Sequence, residues 1–428
     1  MRKFKAKPVA DLLWVLVGAR RAVVLLQILV IAGCGASATG ADNPPDVGPD
    51  NGLGLAAGKG GGDADAPNVV RIDVFRLNLP LISITVCKPG STDNCQTISR
   101  IAVHTGFSGL RIASNAISPQ LLEALPQQMH GSSNAPLAEC VNIVTDRYSW
   151  GGIRTADVMI SGEEASSIPI QVIADPLTPS VPAACSATAI PMMNSRTLGV
   201  NGIIGIGPAS QDCGATCAQT SSSGKYYLCA PGTDTCTPSV AALAEQVANP
   251  VANFATDNNG SIIELPSLSA DGTGSDEGHL VFGIGTRSNN ALGTATVHTT
   301  DPSGALTILY NGLSYASTID SGLPFNAFSD SSLPQCPDAS GLYCPASTLQ
   351  LTAVVVGNNG SASTVDFSVA NWQQLLAYAP WATSFDDIAG VANLGDFVLG
   401  LPFFFGRNVF IAIDGQNTAG GPGPYFAY

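Results

Sequence analysis

Two segments of this chain place an ionisable side chain before a small hydroxyl residue and a glycine. The six residues are His104, Thr105 and Gly106 in IAVHTGFSGLRI, and Asp320, Ser321 and Gly322 in STIDSGLPF. Two carboxyl groups in contact cannot both ionise, so their pKa values separate, and the pair can activate water with one group as base and the other as acid. The first position here is histidine, so the chemistry depends on an imidazole beside Asp320.

An imidazole beside a carboxylate predicts an ion pair rather than a shared proton. The negative charge favours the protonated ring near neutral pH. In a pair of this kind Asp320 could still act as the only base, with protonated His104 stabilising the oxyanion of a hydrolytic intermediate.

The segments that must hold these turns also recur along the chain. Each turn is followed at long range by two apolar residues and a glycine, which are Ile203-Ile204-Gly205 after the first turn and Val398-Leu399-Gly400 after the second. Two halves with the same order of parts predict duplicated lobes. A cleft between such lobes is a natural ligand site.

The composition favours short strands. Hydrophobic residues make up 45% of the 428 residues and charged residues 12%, and 46 glycines and 29 prolines separate Val/Ile/Thr-rich runs. This pattern is typical of β-rich envelope or secreted proteins and excludes a disordered, solvated chain.

We predict strands at NVVRIDVF, LPLISITVC, CQTISRIAVHTG and VANFATD, and a long hairpin at ECVNIVTDRYSWGGIRTADVMISG with glycines at its bend. Short helices are predicted at SPQLLEALPQQM, with Ser118 as N-cap, and at VANWQQLLAYA.

From about residue 68 to the C-terminus, these segments resemble the pepsin-like aspartic proteases. The two active-site turns of those proteases are resembled by IAVHTGFSGL and STIDSG. The segments that thread these turns are resembled by NGIIGIG and FVLGLPFFFGRNVFIAID, and the flap hairpin is resembled by DRYSWGGIRTADVMI. The chain also looks like a family of uncharacterised bacterial lipoproteins, through phrases such as VANFATDNNGSIIELP and LVFGIGTRSNN. The protease resemblance implies a mainly β, bilobal fold with few short helices.

The same resemblance implies roles for individual residues. Thr105 and Ser321 would bond across to the opposite turn, Gly106 and Gly322 would give clearance, and Tyr148 would be the flap tyrosine. The sequence departs from the family pattern where Phe107 and Leu323-Pro324 follow the two glycines, in place of the frequent Ser or Thr, and these changes weaken the support of the pair.

The departures predict a catalytically impaired protein that binds peptides or proteins in the cleft between its lobes. The alternative is an active endopeptidase of aspartic or histo-aspartic type that uses Asp320 with His104. One of the malarial plasmepsins, which has the same replacement of aspartate by histidine, is the precedent. A third possibility is a closed cleft, with a partner bound elsewhere on the surface.

The N-terminus predicts export and lipidation. Arg20-Arg21 precede an apolar run that ends in Ile31-Ala32-Gly33-Cys34, which resembles a bacterial lipoprotein signal with Cys34 as the lipidated residue. An ordinary signal peptide or membrane anchor is the alternative, although the run is shorter than the roughly 20 residues of a membrane span.

We therefore predict a signal peptide at 1–34, a flexible Gly/Asp-rich linker at 35–67, an N-terminal lobe with central strands at 68–285, and a C-terminal lobe at 286–428.

The ten remaining cysteines predict up to five disulfides in an oxidising compartment. Local spacing favours Cys87–Cys95 and Cys336–Cys344, and Cys140–Cys185 is a plausible longer pair. The others, Cys213, Cys217, Cys229 and Cys236, form a cluster with three possible pairings. A zinc site in that cluster is the alternative, but the cluster lacks a tight CxxC knuckle.

Charge and motif content limit the choice of partners. The net charge is −14 although the leader is basic, so the body should be repelled by nucleic acid. No spacing typical of a metal or cofactor site is found, and we predict neither. The expected protein is a monomer on the bacterial cell envelope, lipid-anchored at the outer membrane or the periplasmic face.

Overall fold

The computed structural model describes residues 66–75, 77–131, 133, 135–144, 147–186, 190–230, 233–268, 277–338, 340–379, 382–392 and 395–428. The predicted signal peptide, Cys34 and almost all of the predicted linker lie outside these ranges. Within them, no helix is long and apolar enough to cross a membrane. The fold is mainly β, as predicted.

Twenty-six strands and five α-helices make up the described chain, and many of them are only two to four residues long. The strands of the first part are β1 (Val69–Phe75), β2 (Leu79–Cys87), β3 (Cys95–His104), β4 (Ser108–Ala113), β5 (Met129–His130), β6 (Ala135–Val144), β7 (Arg147–Ile160), β8 (Glu163–Ile173), β9 (Ile190–Pro191), β10 (Gly202–Ile206), β11 (Tyr226–Cys229), β12 (Cys236–Pro238), β13 (Gly260–Leu265), β14 (Glu277–Phe282) and β15 (Val297–Thr299).

The later strands are β16 (Leu306–Tyr310), β17 (Leu313–Ile319), β18 (Asn326–Phe328), β19 (Leu349–Val356), β20 (Ala362–Val369), β21 (Ala389–Gly390), β22 (Asp396–Leu399), β23 (Arg407–Ala412), β24 (Asn417–Thr418), β25 (Gly421–Pro422) and β26 (Tyr425–Ala427). The helices are α1 (Pro119–Ala124), α2 (Ala183–Ser186), α3 (Ser195–Leu198), α4 (Ala215–Gln219) and α5 (Trp372–Tyr378). Short 3₁₀ helices span Ser114–Ala116, Leu243–Glu245, Val251–Asn253, Ser288–Asn290 and Leu401–Phe403.

Two large sheets contain all the strands except β24 and β25, which form a small sheet of their own. The first contains the strands from β1 to β15 together with β23 and β26, and the second has the order β20-β19-β16-β17-β22-β18-β21. Side chains alternate between the core and solvent along strands with one exposed face, as in β1, while β10 is buried on both faces and reads as a continuous apolar run.

In the first sheet, β10 passes between the two strands that flank the first turn. It is parallel to β3, where Gly205 lies opposite His104, and antiparallel to β4, where Gly205 lies opposite Gly109. A Cβ at Gly205 would lie 2.6 Å from the Phe107 ring, so only glycine allows this close approach. The N–H of Gly207 then donates to the Phe107 carbonyl at 2.8 Å, which fixes the turn.

The second sheet repeats this arrangement around the second turn. Strand β22 is parallel to β17, where Leu399 lies opposite Ile319, and antiparallel to β18. A Cβ at Gly400 would lie 2.1 Å from the Phe325 carbonyl oxygen, and the N–H of Leu401 donates to the Leu323 carbonyl at 2.8 Å. The apolar-apolar-glycine repeat in the sequence therefore marks two equivalent strand insertions.

The end of the chain returns to the first sheet. Strand β13 pairs with β14 and with β23, and β26 pairs with both β23 and β15. Strands β23 and β26 come from the segment 286–428, so the central strands include the C-terminus of the chain as well as part of 68–285. The boundary at residue 285 stays a prediction.

Both predicted helices form, and their caps follow from the sequence. Ser118 accepts a hydrogen bond from the N–H of Leu121 and Pro119 occupies the first turn of α1. Asn371 caps α5 by accepting from the N–H of Gln374.

Two local predictions were wrong. The glycines of the long hairpin are not at its bend, which falls between Val144 and Arg147. Gly151 lies inside β7 instead, where a Cβ would come within 1.9 Å of the Val172 carbonyl oxygen, so it permits close approach of β8 rather than a turn. The segment VANFATD forms no strand, because Val251–Asn253 is a 3₁₀ helix that begins directly after Pro250.

The ten described cysteines form five disulfides. The three pairs favoured by spacing are Cys87–Cys95, Cys140–Cys185 and Cys336–Cys344, and the cluster resolves into Cys213–Cys217 and Cys229–Cys236. The zinc alternative for the cluster is thereby wrong, since all four sulfurs are used in disulfides.

Candidate functional site

The two turns face each other, and their ionisable side chains are close. Nδ1 of His104 lies 3.5 Å from Oδ1 of Asp320, and the side chains are 15% and 21% exposed. Nδ1 has no hydrogen-bond partner among the described residues, so the contact is an ion-pair distance rather than a hydrogen bond.

The backbone of both turns binds the Asp320 carboxylate. Oδ1 accepts hydrogen bonds from the N–H groups of Gly322 at 2.9 Å and of Gly106 at 3.2 Å. Burial by itself would raise the pKa of this carboxyl, but the His104 imidazole and the two backbone donors outweigh burial and lower the pKa below its usual range. Asp320 is therefore held as a carboxylate.

The two hydroxyl residues connect the turns. Thr105 Oγ1 donates to the Ile319 carbonyl at 2.7 Å and accepts from the N–H of Ser321 at 3.0 Å. Ser321 Oγ donates to the Val103 carbonyl at 2.8 Å. Both residues are fully buried, so these bonds between the two turns are shielded from water and fix the relative position of the turns.

The two glycines leave room for the opposite side chain. A Cβ at Gly322 would lie 1.8 Å from His104 Nδ1, and a Cβ at Gly106 would lie 2.6 Å from Cγ of Asp320. Each ionisable side chain thus packs onto the glycine of the opposite turn, and the pair has no space for larger residues there.

An aromatic ring supports the imidazole. The rings of Phe107 and His104 have centroids 4.9 Å apart at an angle of 41°. The guanidinium of Arg111 lies 5.5 Å from the centroid of the Phe107 ring. Phe107 thus holds His104 by packing.

Arg111 belongs to a buried charged cluster that the sequence reasoning missed. Its Nη2 contacts Glu139 at 2.8 Å and Asp212 at 2.6 Å, and Lys225 lies 2.9 Å from Asp212. Burial raises the pKa of Glu139 to about 8, while Lys225 and Arg111 hold the pKa of Asp212 well below its usual range in spite of burial. The sequence signal for this cluster was an arginine within the apolar segment SGLRIA. Every residue of that strand is buried, and a buried arginine requires charged partners.

The hairpin β6–β7 is held from two sides. Its β6 strand pairs with β11, and Cys140 in β6 is bonded to Cys185. Tyr148 lies beside the bend, but it is only 6% exposed and its carbonyl accepts a hydrogen bond from the N–H of Met192 at 2.8 Å. It packs with Trp150 and the disulfide in one apolar cluster, and its role as a flap tyrosine stays a prediction.

A cavity of about 310 Å³ adjoins the first turn. It is lined by Gly106, by small or hydroxyl residues such as Ser303 and Thr318, and by Val398 and Asp396. The cavity reaches the first turn at Gly106, the second residue after His104.

No group of His, Cys, Asp and Glu that could hold a metal ion is found in the described ranges. Two of the remaining histidines have local partners: His130 Nδ1 contacts Glu245 at 2.9 Å, and buried His298 bonds to the hydroxyls of Ser361 and Ser363.

Comparison with known proteins gives a family and a structural neighbour. A family model described as "Protein of unknown function (DUF3443)" matches residues 65–428. An aspartic proteinase from Irpex lacteus is similar in structure, with a TM-score of 0.45 and 16% sequence identity over 84% of this chain and 96% of that chain. No curated protein matches the chain.

Proposed function

Since the chain belongs to DUF3443, a family of unknown function, we propose its function from the site itself: it binds peptide segments beside the His104–Asp320 pair and does not hydrolyse them. The observation that carries this proposal is the state of Asp320. Water activation by a carboxyl pair needs one proton shared between two acids, whereas Asp320 is kept ionised by two backbone donors and faces an imidazole.

The surroundings of the pair support binding without turnover. The hydroxyl bonds of Thr105 and Ser321 keep the two turns together although the second acid is missing. Phe107 fills the space beside His104 with an apolar ring. An apolar wall and a fixed carboxylate are suited to hold a peptide by packing and by one charged or hydrogen-bonded contact.

A mixture of peptides from a denatured protein tests the proposal. We expect binding, measured by fluorescence polarisation, and no cleavage by mass spectrometry between pH 3 and pH 8. The variant His104→Asp should gain cleavage at acidic pH, because it restores the two acids. Cleavage by the unaltered protein that disappears in Asp320→Ala would overturn the proposal, and Asp387→Asn, which lies outside the site, serves as the control.

The same experiment addresses a second candidate, an endopeptidase that uses Asp320 as base. The 3.5 Å approach of His104 to Asp320 favours this candidate, because a protonated imidazole at that distance can stabilise a developing oxyanion. It requires activity in the unaltered protein and loss of that activity in both His104→Ala and Asp320→Ala.

We further propose that the protein is a monomeric lipoprotein of the bacterial cell envelope, anchored through Cys34. The proposal rests on the sequence before and at Cys34. Metabolic labelling with an alkyne fatty acid should mark the unaltered protein and not Cys34→Ser. The double variant Cys336→Ser/Cys344→Ser, which also removes cysteines, should stay labelled.

A further inference from the structure

A buried arginine lies directly behind the first turn. Arg111 belongs to β4, the strand that follows the turn, and its side chain is only 2% exposed. Its Nη1 donates to the Ser108 carbonyl at 3.1 Å, so the guanidinium is attached to the backbone that leaves the turn. Taking a guanidinium out of water costs free energy that buried ion pairs often do not return. A gain in stability is therefore not a sufficient explanation for Arg111.

Two carboxylates hold the other terminal nitrogen of this guanidinium. Nη2 of Arg111 contacts Glu139 Oε1 at 2.8 Å and Asp212 Oδ2 at 2.6 Å. Asp212 is itself fixed, because Lys225 Nζ lies 2.9 Å from Oδ2 and the Tyr226 hydroxyl donates to Oδ1 at 2.6 Å. Glu139 lies in β6 and Tyr226 in β11, so strands other than its own hold the guanidinium in place.

The guanidinium contacts the ring on which the imidazole packs. Cζ of Arg111 lies 5.5 Å from the centroid of the Phe107 ring, within the roughly 6 Å range of a cation–π contact. The Phe107 ring in turn lies 4.9 Å from the His104 ring, measured between centroids. Nδ1 of His104, the ring nitrogen near Asp320, has no hydrogen-bond partner among the described residues. Packing on Phe107 therefore supplies a restraint that hydrogen bonding at Nδ1 does not.

We infer that Arg111 is a positioning residue, which acts through Phe107 to hold the His104 imidazole in place. Arginine suits this role because its planar guanidinium carries five N–H groups and can also contact an aromatic ring. A lysine would keep the charge but would lose the fork that reaches a carbonyl and two carboxylates together. The inference deepens the proposed function and rests on it in one respect: an imidazole held in place is a preformed surface, which lowers the cost of binding a peptide.

The test measures the carboxyl group of Asp320, because the His104 imidazole lowers its pKa. Carboxyl NMR of the full chain with labelled aspartate gives this pKa, and His104→Ala shows how far it rises without the imidazole. Phe107→Leu removes the ring that supports the imidazole, and Arg111→Lys removes the fork that supports the ring. We expect each variant to raise the pKa of Asp320 by part of the rise in His104→Ala. The double variant Phe107→Leu/Arg111→Lys should match Phe107→Leu, because Arg111 acts through the ring.

Arg154→Lys is the matched control. Arg154 is also a buried arginine with a forked contact, since its Nε and Nη2 lie 2.6 Å and 2.8 Å from the Asp175 carboxylate, but it belongs to β7. This variant should lose stability without changing the pKa of Asp320. Asp330, whose carboxylate accepts from the Tyr310 hydroxyl at 2.7 Å, is an internal control in each spectrum and should titrate alike in every variant.

Three results would overturn the inference. They are an unchanged pKa of Asp320 in Phe107→Leu, an equal rise in Arg154→Lys and Arg111→Lys, and additive rises in the double variant. If Arg111→Lys does not fold, Tyr226→Phe takes its place, because it removes only a hydroxyl that fixes Asp212. It should raise the pKa of Asp320 by a smaller amount, and no rise would then overturn the inference.

Peptide binding, measured by fluorescence polarisation on the same variants, separates this inference from the proposed function. A raised pKa of Asp320 together with at least about threefold weaker peptide binding in Phe107→Leu and Arg111→Lys supports both. A raised pKa in a protein that binds no peptide supports the positioning role and overturns the proposed function. Peptide binding with an unchanged pKa in these variants overturns the positioning role alone.

Discussion

At the scale of single residues, His104 gives the site an imidazole and a carboxylate in place of two acids. The two turns still face each other. The backbone donors of Gly106 and Gly322, which converge on one oxygen of Asp320, stabilise a negative charge. A site with two acids would need one of them to be neutral. The residues around the pair thus fit a fixed carboxylate.

Replacing Asp320 by Asn should lower stability in a pH-dependent way. The pKa of Asp320 is lowered in the folded protein, so ionisation stabilises the fold above the unfolded value of about 3.9, and this contribution is lost as the pH falls through the folded-state pKa. Urea unfolding of both proteins should show a difference near neutral pH that shrinks as the pH falls through the lowered folded-state pKa. An equal difference at all pH values would contradict the assignment. Asp396→Asn controls for the loss of an exposed carboxylate.

Replacing Gly322 by Ala should cost about 1–3 kcal/mol of unfolding free energy, the usual penalty for overpacking. The added Cβ would lie 1.8 Å from His104 Nδ1, and the imidazole must move. In the background His104→Ala the obstructing ring is gone, so the cost should fall below about 1 kcal/mol. The double-mutant cycle is measured by chemical unfolding, and strict additivity would show that the glycine is needed for another reason.

At the scale of elements, the hairpin β6–β7 is more constrained than a free flap. Strand β11 pairs with one side and β9 with the other, and a disulfide joins Cys140 in β6 to Cys185. Met193 packs against the cluster that contains Tyr148 and also against the cluster that contacts Phe107. The hairpin is therefore coupled to the first turn through packed side chains.

The double variant Cys140→Ser/Cys185→Ser should lose about 4 kcal/mol of stability, since the disulfide closes a long loop in the chain-entropy model. Amide exchange at Met192, whose N–H donates to the Tyr148 carbonyl, should become faster.

The matched control for this variant is Cys336→Ser/Cys344→Ser, which opens a loop with a sequence separation of 8 rather than 45. It should cost about 2.5 kcal/mol. Exchange at Met192 should not change in the control. Unchanged exchange in Cys140→Ser/Cys185→Ser would mean that the strand pairs hold the hairpin without the disulfide.

At the scale of the whole molecule, strands far apart in sequence complete one sheet. The C-terminal β26 lies between β15 and β23, and β23 continues through β13 and β14 to β1 near the start of the described chain. Folding of the first sheet therefore requires the end of the chain.

Removal of residues 421–428 should prevent stable folding. Tyr425 and Phe426 are fully buried, and each contributes roughly 1.5–3 kcal/mol through burial, in addition to the lost strand pairs. That loss is comparable to the total stability of many domains, about 5–15 kcal/mol. Circular dichroism melting should show a non-cooperative transition. Tyr378→Ala removes an aromatic side chain that is 73% exposed and should melt like the unaltered protein.

Much of the fold and the central pair could be predicted from sequence, because the signals were local or repeated. Alternating apolar residues marked β1 to β3, the capping residue Ser118 marked α1, and short spacings marked two disulfides. The hairpin bend was misplaced because glycine serves both turns and close strand contacts, and the difference at Gly151 depends on a carbonyl of β8. The segment VANFATD was assigned to a strand because it contains β-branched and aromatic residues, but its first three residues form a 3₁₀ helix.

The sequence by itself determined that His104 and Asp320 occupy equivalent turns, since the two motifs and their glycine partners repeat in the same order. Only the tertiary structure decided how they interact: Nδ1 stands 3.5 Å from the carboxylate, Phe107 packs on the ring, and backbone donors hold Asp320. It also revealed the cluster around Arg111. These features depend on residues brought together by sheet pairing, and burial and distance between such residues are not encoded in any local pattern.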